Sequence, residues 1–393
     1  ATGAPAALSQ LSLRVHHVEI HTKRLGRLLD RLCAGLNFRP TLVHPGGAGH
    51  GALVTKGRAR FLLRPLLGPQ TDSVVDVAFE TPRLDQFVAD RRRAEVAVEA
   101  ACGAVPALRF QSPASGGLWH TVLQQRHQRH QMSRRQFLAA CFPDLVPAQR
   151  TESADADQEG EDDGGGAFID HVALACHASE SARILAWYES IFQLPRYRVN
   201  STETEGGFTV RYKDSGMNLK AIASNEPPDA RDHYTGLKFV FAESLNSGPN
   251  QINTFLREHG GSGVQHVAIH LDNFVQQVAV YRQRGVEFMD PPAAYYSKEI
   301  GKVQQIAESG LDLQSVRDNQ ILVDCEADGG GGDDCPADSR DRYLMQVFTK
   351  PLLSEDTFFL ELISRVGARG FGAGNISALW RAVEAHMLSR GQL

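Results

Sequence analysis

Four times along the chain, an apolar run with strand-like alternation is followed by a helical pattern. "LRVHHVEIHT" leads into "LGRLLDRLCAGL" and "DSVVDVAFET" into "LDQFVADRRR"; further on, "FIDHVALACH" precedes "SARILAWYESIF" and "VQHVAIHLDN" precedes "FVQQVAVYRQRG". Period-two alternation marks the strands, and recurrence at three and four residues marks the helices. A unit of strand, helix and more strands, used about four times, is an internal repeat. Two units in each half predict an α+β fold of two related open sheets, each curled into a cup with helices outside.

The repeat breaks where composition shifts. From Thr151 to Gly166 the stretch "TESADADQEGEDDGGG" holds seven acids and no base. Such a segment has too little apolar surface to fold, which makes it a linker. The expected organisation is therefore a first domain over 1–150, a disordered acidic linker over 151–166 and a second domain over 167–393. A second acidic stretch, "CEADGGGGDDCPADSRD", separates the strand-like "QILVD" and "YLMQVFTK" and reads as an enlarged hairpin loop. Its acids lack the spacing of a calcium loop, and a solvated spacer is the preferred reading. Pairing or metal binding by Cys325 and Cys335 is the lesser one, because no histidine stands nearby.

Composition narrows the function without choosing it. At 393 residues, with 42% hydrophobic and 22% charged residues, the chain has enough core for two domains. A net charge of -5 argues against a general nucleic-acid binder. No apolar run approaches the roughly 18 residues of a membrane helix. The six scattered cysteines form no Cys-x-x-Cys pair and resemble reduced intracellular thiols. The first 18 residues lack acids and carry Arg14, followed by Lys23, Arg24 and Arg27, a pattern weakly like a mitochondrial presequence. The compartment reading leans to the mitochondrion, with the cytoplasm as the alternative.

The chemistry lies in polar residues set inside apolar runs. His171 stands in "FIDHVALAC", His266 in "VQHVAIHLD" and Glu361 in "FFLELIS", at an equal interval of 95 residues. A buried carboxylate needs a partner, and equivalent strands of a repeated unit bring such residues to one point. Two imidazoles and one carboxylate on one face of an octahedral ion, with three positions open, is the ligand set of non-haem Fe(II) oxygenases. A 2-oxo acid takes two open positions and dioxygen the third. A lone buried histidine is more often a core residue; the conjunction of three raises these above His16, His17, His21, His177 and His270, which read as structural or surface residues.

Taken with the stretches "NQINTFLREHGGSGVQHVAIH", "PPAAYYSK", "ILVD" and "LMQVFTKPLLSEDTFFLELISRVGARGFGAGNI", the second half resembles the 4-hydroxyphenylpyruvate dioxygenase family of the vicinal-oxygen-chelate superfamily. The first half matches loosely, as the degenerate domain that carries no metal in that family. The resemblance implies paired βαβββ modules forming an open barrel in each domain. It implies Fe(II) held by His171, His266 and Glu361, with no catalytic side chain beyond these ligands. It places Gln251, Gln265, Gln346, Phe348, Phe359, Phe371, Asn375 and Ile376 around an aryl-pyruvate that reacts with dioxygen. Gln346 and Phe348 share a strand face, as do Phe359 and Glu361, whereas Gln265 in a regular strand points away from His266. Family members commonly pair, so a homodimer is one arrangement the resemblance allows.

The departures set the expected product. Family members that form homogentisate have proline and asparagine where this chain aligns Glu243 and Leu245, and phenylalanine where it has Ile376. The related hydroxymandelate synthases carry isoleucine there. A lost ring leaves room for the arylacetate fragment to turn, so that its benzylic carbon is hydroxylated and 4-hydroxymandelate, a precursor for aromatic (ubiquinone) head groups, results. Homogentisate formation in tyrosine breakdown is the alternative enzyme, and a non-catalytic metal-binding homologue the alternative class. In "GFGAGNISALWRAVEAHML" the glycines allow a tight turn, Asn375 is expected to cap a helix, and Ile376, Leu379, Trp380, Val383 and Met387 give that helix a buried face; the resemblance implies that this helix is a lid over the site. Extradiol cleavage and glyoxalase chemistry share the ligand types, but neither accounts for this lid.

Overall fold

Each of the four repeated units opens with the strand that later carries its polar residues, and the sheets are organised around those first strands. The computed structural model describes residues 12–93, 99–100, 105–125, 133–148, 166–199, 203–212, 215–224, 236–292, 295–296, 306–307, 309–325, 342–355, 357–368 and 370–380. The start of the presequence-like stretch, the acidic linker apart from Gly166, the loop after Cys325 with Cys335, and Val383 and Met387 lie outside these residues.

The first sheet contains β1 (Arg14–Thr22), β2 (Arg39–Val43), β3 (Ala52–Lys56), β4 (Ala59–Pro65), β5 (Ser73–Thr81), β6 (Glu99–Ala100), β7 (Ala107–Gln111), β8 (Trp119–Gln124) and β9 (Val146–Pro147), in the order β6-β7-β8-β5-β1-β4-β3-β2-β9. The second contains β10 (Phe168–Cys176), β11 (Arg196–Tyr197), β12 (Phe208–Tyr212), β13 (Ser215–Ala223), β14 (Lys238–Ser244), β15 (Gly263–His270), β16 (Leu322–Cys325), β17 (Tyr343–Phe348) and β18 (Phe359–Val366). Its order is β11-β13-β14-β10-β15-β18-β17-β16, with β12 on β13. In every unit the first strand pairs in parallel with the last: β1 with β4, β5 with β8, β10 with β14 and β15 with β18. Two units join into one sheet through their first strands, antiparallel, as β1·β5 and β10·β15. The repeat in the sequence is therefore a repeat in topology, and β16 and β17 form the expected hairpin.

The helices differ from expectation in one respect. Helices α1 (Leu25–Asp30), α2 (Leu84–Arg93), α4 (Ala178–Phe192) and α6 (Phe274–Gln283) lie outside each cup. They are nonetheless inside the protein, because their apolar faces and the convex faces of both sheets share one continuous core. Leu28, Phe87, Tyr188, Phe192, Val278 and strand residues such as Val18, Phe79, Val172 and Val267 all belong to it. The pattern of each half shows an amphipathic helix; only the assembled chain shows that both halves bury those helices against each other. The remaining helices attend the concave faces. Helix α3 (Arg134–Cys141) packs Leu138 with Leu42, Leu53 and Leu62 in the first cup. Helix α5 (Gln251–His259) sets Ile252, Phe255 and Leu256 against Ala173, Ala175 and Ala242 in the second. Among the described residues no helix is long and apolar enough to cross a membrane.

The two halves are also joined by polar groups. Tyr188, fully buried on α4, has its hydroxyl 2.7 Å from His120 Nε2 and 3.2 Å from Ser112 Oγ, both in the first half. Nδ1 of His120 meets the carbonyl of Val77 at 3.0 Å, so it donates there and Nε2 accepts from the phenol. Tyr188→Phe should keep the packing and orphan the buried His120 Nε2, lowering stability by about 1–3 kcal/mol. Denaturant unfolding measures this, and an unchanged midpoint would show that water replaces the lost bond.

Candidate metal centre

His171 and His266 owe their orientation to two interruptions of the β10·β15 ladder. On β10, Ile169, Val172, Leu174 and Cys176 belong to the convex core, while Ala173 and Ala175 line the concave cluster. Ile169 and His171, two positions apart, would share a face in an unbroken strand. Pairing jumps from Ile169↔Ile269 to His171↔Ala268, and the extra residue, Asp170, turns His171 to the concave side. The second jump, from Ala173↔His266 to Leu174↔Val264, leaves Gln265 as the extra residue and turns His266 the same way. Alternation therefore does not govern Gln265, which removes the objection raised by its place beside His266. Glu361 follows from register alone, opposite Ala268 on β15 and Phe348 on β17.

The three side chains meet as expected. Glu361 Oε2 lies 3.4 Å from His171 Nε2 and 3.5 Å from His266 Nε2. One ligand atom from each falls within 4.8 Å of the others, and this is the group of such residues found among the described residues. Burial alone would push the Glu361 carboxyl up, but the two imidazoles bring it down to about 2. Burial alone would lower His171, yet the Glu361 and Asp170 carboxylates raise it above the ordinary histidine value. Burial lowers His266, with Glu361 opposing. The pocket thus keeps an anionic carboxylate facing two imidazole nitrogens, a site in which a divalent cation can replace the proton the imidazoles share with it.

Supporting residues hold the donors in place. Asp170 Oδ1 accepts from His171 Nδ1 at 2.9 Å, leaving Nε2 to face the centre. Burial alone would raise the Asp170 carboxyl, but Arg365 and Lys238 hold it well below the usual range. Arg365 donates to both of its oxygens at 2.8 Å. Gln346 donates from Nε2 to Glu361 Oε1 at 2.8 Å, leaving Oε2 as the free oxygen. The Phe371 ring stands edge-on to His171 at 5.3 Å, and Phe359 stacks on His266 at 4.8 Å. A nitrogen-nitrogen-oxygen donor set with one free carboxylate oxygen, inside an otherwise apolar wall, fits a divalent transition metal.

The other expected residues divide. Gln251 is the buried first residue of α5, and Gln265 is buried beside His266. Phe348 and Phe359 face each other at 6.3 Å in a cluster with Tyr295 and Leu322. Ile376 packs against the concave cluster, whose members include Ala173, Ala175, Val240 and Ala242. Trp380 is fully buried in that cluster, and Leu379 borders the Phe348 cluster. One expectation is corrected. Asn375 is not a helix cap: residues 373–380 are helical, and the carbonyl that receives Asn375 N and Ile376 N belongs to Gly372. Its side chain points inward instead, to Tyr295 and Gln346. Glu243 does not face the cup, because β14 presents Ala242 there while Glu243 binds Ser181 on α4 and Asn218. Sequence reading missed Asp170 and Arg365; the former, an acid next to a ligand histidine, was open to inspection.

The first half shows what the same frame does without this donor set. His17 pairs with Ala78 as His171 does with Ala268, and Asp76 pairs with Glu19 and Trp119 as His266 does with Ala173 and Phe359. The position equivalent to Glu361 is then Thr121. Thr121 Oγ1 donates to Asp76 at 2.7 Å, and Arg109 Nε lies 3.3 Å from the same carboxylate. An arginine cation stands where the second half gathers ligands.

Repeated units with a concave donor triad in one half define a vicinal-oxygen-chelate protein. Residues 168–306 match the Glyoxalase/Bleomycin resistance protein/Dioxygenase superfamily. The chain is 29% identical to the mouse 4-hydroxyphenylpyruvate dioxygenase-like protein, over 94% of this chain and 96% of that one. It is 35% identical to the human protein of that name over 55% and 54% of the two chains. A solved triple mutant of 4-hydroxymandelate synthase from Streptomyces coelicolor shares the fold, with a TM-score of 0.71 at 22% identity, covering 96% of this chain and 99% of that one. By these likenesses the chain resembles the 4-hydroxyphenylpyruvate dioxygenase family.

Glu361→Ala should abolish binding of Co(II), a spectroscopic probe for the site, whereas the same change at Glu243 should leave binding intact. Titration of the visible absorption of Co(II) measures both, and full binding by Glu361→Ala would remove that residue as a ligand.

Proposed function

We propose that the protein is an Fe(II)-dependent dioxygenase that converts 4-hydroxyphenylpyruvate and dioxygen into 4-hydroxymandelate and carbon dioxide. The observation carrying the reading is the buried triad of His171, His266 and Glu361 beside a concave wall that includes Ile376. Ferrous iron, when bound, supplies a Lewis-acid site for the 2-oxo acid and the electrons that activate dioxygen. The chain's own residues do the rest. His171, His266 and the free oxygen of Glu361 would hold the ion, and the substrate would bind beside them. Phe348 and Phe359 border one side of the site, and Ala173, Ala175 and Ala242 contribute small apolar side chains to the concave wall. Burial of these surfaces excludes water from a reaction that hydrolysis or leakage would waste.

Product choice is assigned to Ile376. Hydroxylation of the benzylic carbon and of the ring carbon compete through transition states that differ by a small displacement of one fragment. A difference of about 1.4 kcal/mol changes their ratio tenfold, within reach of one side chain. An isoleucine occupies less of the wall than a phenylalanine and lets the fragment rotate. Homogentisate is the competing product; a relative named 4-hydroxyphenylpyruvate dioxygenase, from Caenorhabditis elegans, is 26% identical over 82% of this chain.

The decisive experiment reconstitutes the protein anaerobically with Fe(II), adds 4-hydroxyphenylpyruvate and oxygen, and separates the products by chromatography, since hydroxymandelate and homogentisate have equal mass. Hydroxymandelate is expected. Ile376→Phe should move the ratio toward ring-hydroxylated product by about tenfold or more; an unchanged ratio would remove Ile376 as the determinant. Homogentisate from the unaltered protein would retain the metal site and overturn the product assignment. Bound iron without turnover would instead favour a metal-binding homologue with no activity on this substrate.

A further inference from the structure

Four buried polar side chains run in series from the metal-facing carboxylate to the edge of the second sheet. Glu361 Oε1 accepts from Gln346 Nε2 at 2.8 Å; Gln346 Oε1 accepts from Asn375 Nδ2 at 2.9 Å; and Asn375 Oδ1 lies 2.7 Å from the hydroxyl of Tyr295. Glu361 and Gln346 are each 2% exposed, Tyr295 is 3% and Asn375 is 0%, so water does not compete for these groups. We propose that Tyr295 and Asn375 are positioning residues that couple the seating of the C-terminal helix (373–380) to the direction in which Glu361 presents its free oxygen. The proposal rests on the metal reading of the triad.

The polarity of the series is fixed from one end. An ionised carboxylate only accepts, so the Gln346 amide must donate to it and turn its oxygen toward Asn375. Asn375 must then donate from Nδ2, which leaves Oδ1 as an acceptor. The far end therefore needs a donor, and among ordinary side chains of this size a tyrosine supplies one on a rigid ring. The Tyr295 oxygen in turn accepts from Val323 N at 2.8 Å, on β16. The Val323 carbonyl, at 2.9 Å, is a second acceptor for the single phenolic proton, and the polarity of the series assigns that proton to Asn375.

The helix is gripped at the same place by its backbone. Gly372, at φ +74°, begins it, and a Cβ there would collide with the Gln346 amide. Gln346 Nε2 also donates to the Phe371 carbonyl at 3.2 Å, and Asp324 Oδ2 accepts from Gly374 N at 3.0 Å. The first turn of the helix, β16 and the Glu361 carboxylate therefore share one hydrogen-bonded assembly. Ile376 and Trp380 on that helix line the concave wall, so a helix that lifts from Tyr295 opens the wall and frees Glu361 to rotate. Linkage is reciprocal: an ion that fixes Glu361 must also tighten the helix by the same factor.

The test uses the full chain, with Co(II) as the probe ion. Peptide-resolved amide hydrogen exchange is followed over 370–380 with and without Co(II), and Co(II) affinity is measured by chelator competition. Addition of Co(II) should slow exchange in that segment. Tyr295→Phe keeps the ring packing, and should quicken metal-free exchange there and weaken Co(II) binding about tenfold, in the range seen when outer-shell partners are removed. Asn375→Leu should do the same, and the double variant should be no worse than Asn375→Leu alone, because one broken link already interrupts the series. Additive losses would indicate two separate packing effects and overturn the proposal. So would Co(II) binding by Tyr295→Phe at unaltered affinity. Failure of the unaltered protein to bind Co(II) would overturn the metal reading and the coupling with it.

Discussion

A β-strand sends successive side chains to opposite faces, so two residues two apart on one strand point the same way unless an extra residue intervenes. In β10 and β15 that intervention occurs at Asp170 and at Gln265. Without it, His171 would follow Ile169 into the convex core and His266 would follow Val264. The antiparallel seam between the two strands is also the junction of the two units, so the same pairing builds the sheet and aims the ligands. The first half repeats both interruptions in β1 and β5, at His16 and Val75. The device belongs to the repeated frame; the metal chemistry comes from the residues placed on it.

Charge compensation explains why those residues come as a set. Buried ionised groups are tolerated when each has a hydrogen-bonded counter-charge. Asp170 meets Arg365, Lys238 and His171, and Glu361 meets both histidines. Burial pushes Lys238 down to about 8, and the arginine is the firmer partner because it donates to both Asp170 oxygens at 2.8 Å while Lys238 lies 3.6 Å away. In the first half Asp76 stands at the position of His266, and Arg109 with Thr121 supplies its compensation. One frame thus solves the same electrostatic problem twice, once with side chains alone and once with a carboxylate left facing two imidazoles.

Packing then divides the labour between the faces of each sheet. The convex faces and outer helices merge into one core, with Tyr188 and His120 bridging the halves by a hydrogen bond inside an aromatic cluster. Rigidity on that side leaves the concave side to vary. In the first cup α3 and the residue that follows it fill the space with Leu138 and Phe142, the latter against His17 at 5.0 Å. In the second, alanines and valines belong to the concave cluster, and the helix over 373–380 packs upon it through Ile376 and Trp380.

Much of this was legible in the sequence. The fourfold strand-helix pattern gave the paired cups, because hydrophobic periodicity is a local property of the chain. His171, His266 and Glu361 stood out because polar residues inside apolar runs require partners, and their equal spacing followed from the repeat. What the sequence by itself could not settle was direction. Whether Gln265 and His266 could share a face depended on a pairing shift between two strands. The face on which Glu243 lies was likewise set by the sheet, which turns Ala242 to the cup and Glu243 to Ser181. Asn375 looked like a cap because it precedes a helical pattern, yet the turn begins at Gly372 and the side chain is drawn inward by Gln346 and Tyr295, which lie about 30 and 80 residues away in the chain. The sequence determined which groups had to find partners, since burial makes that a property of composition and pattern. Only the tertiary structure decided which partners they found, because hydrogen-bond geometry is set by distances between strands that the chain reaches by separate paths.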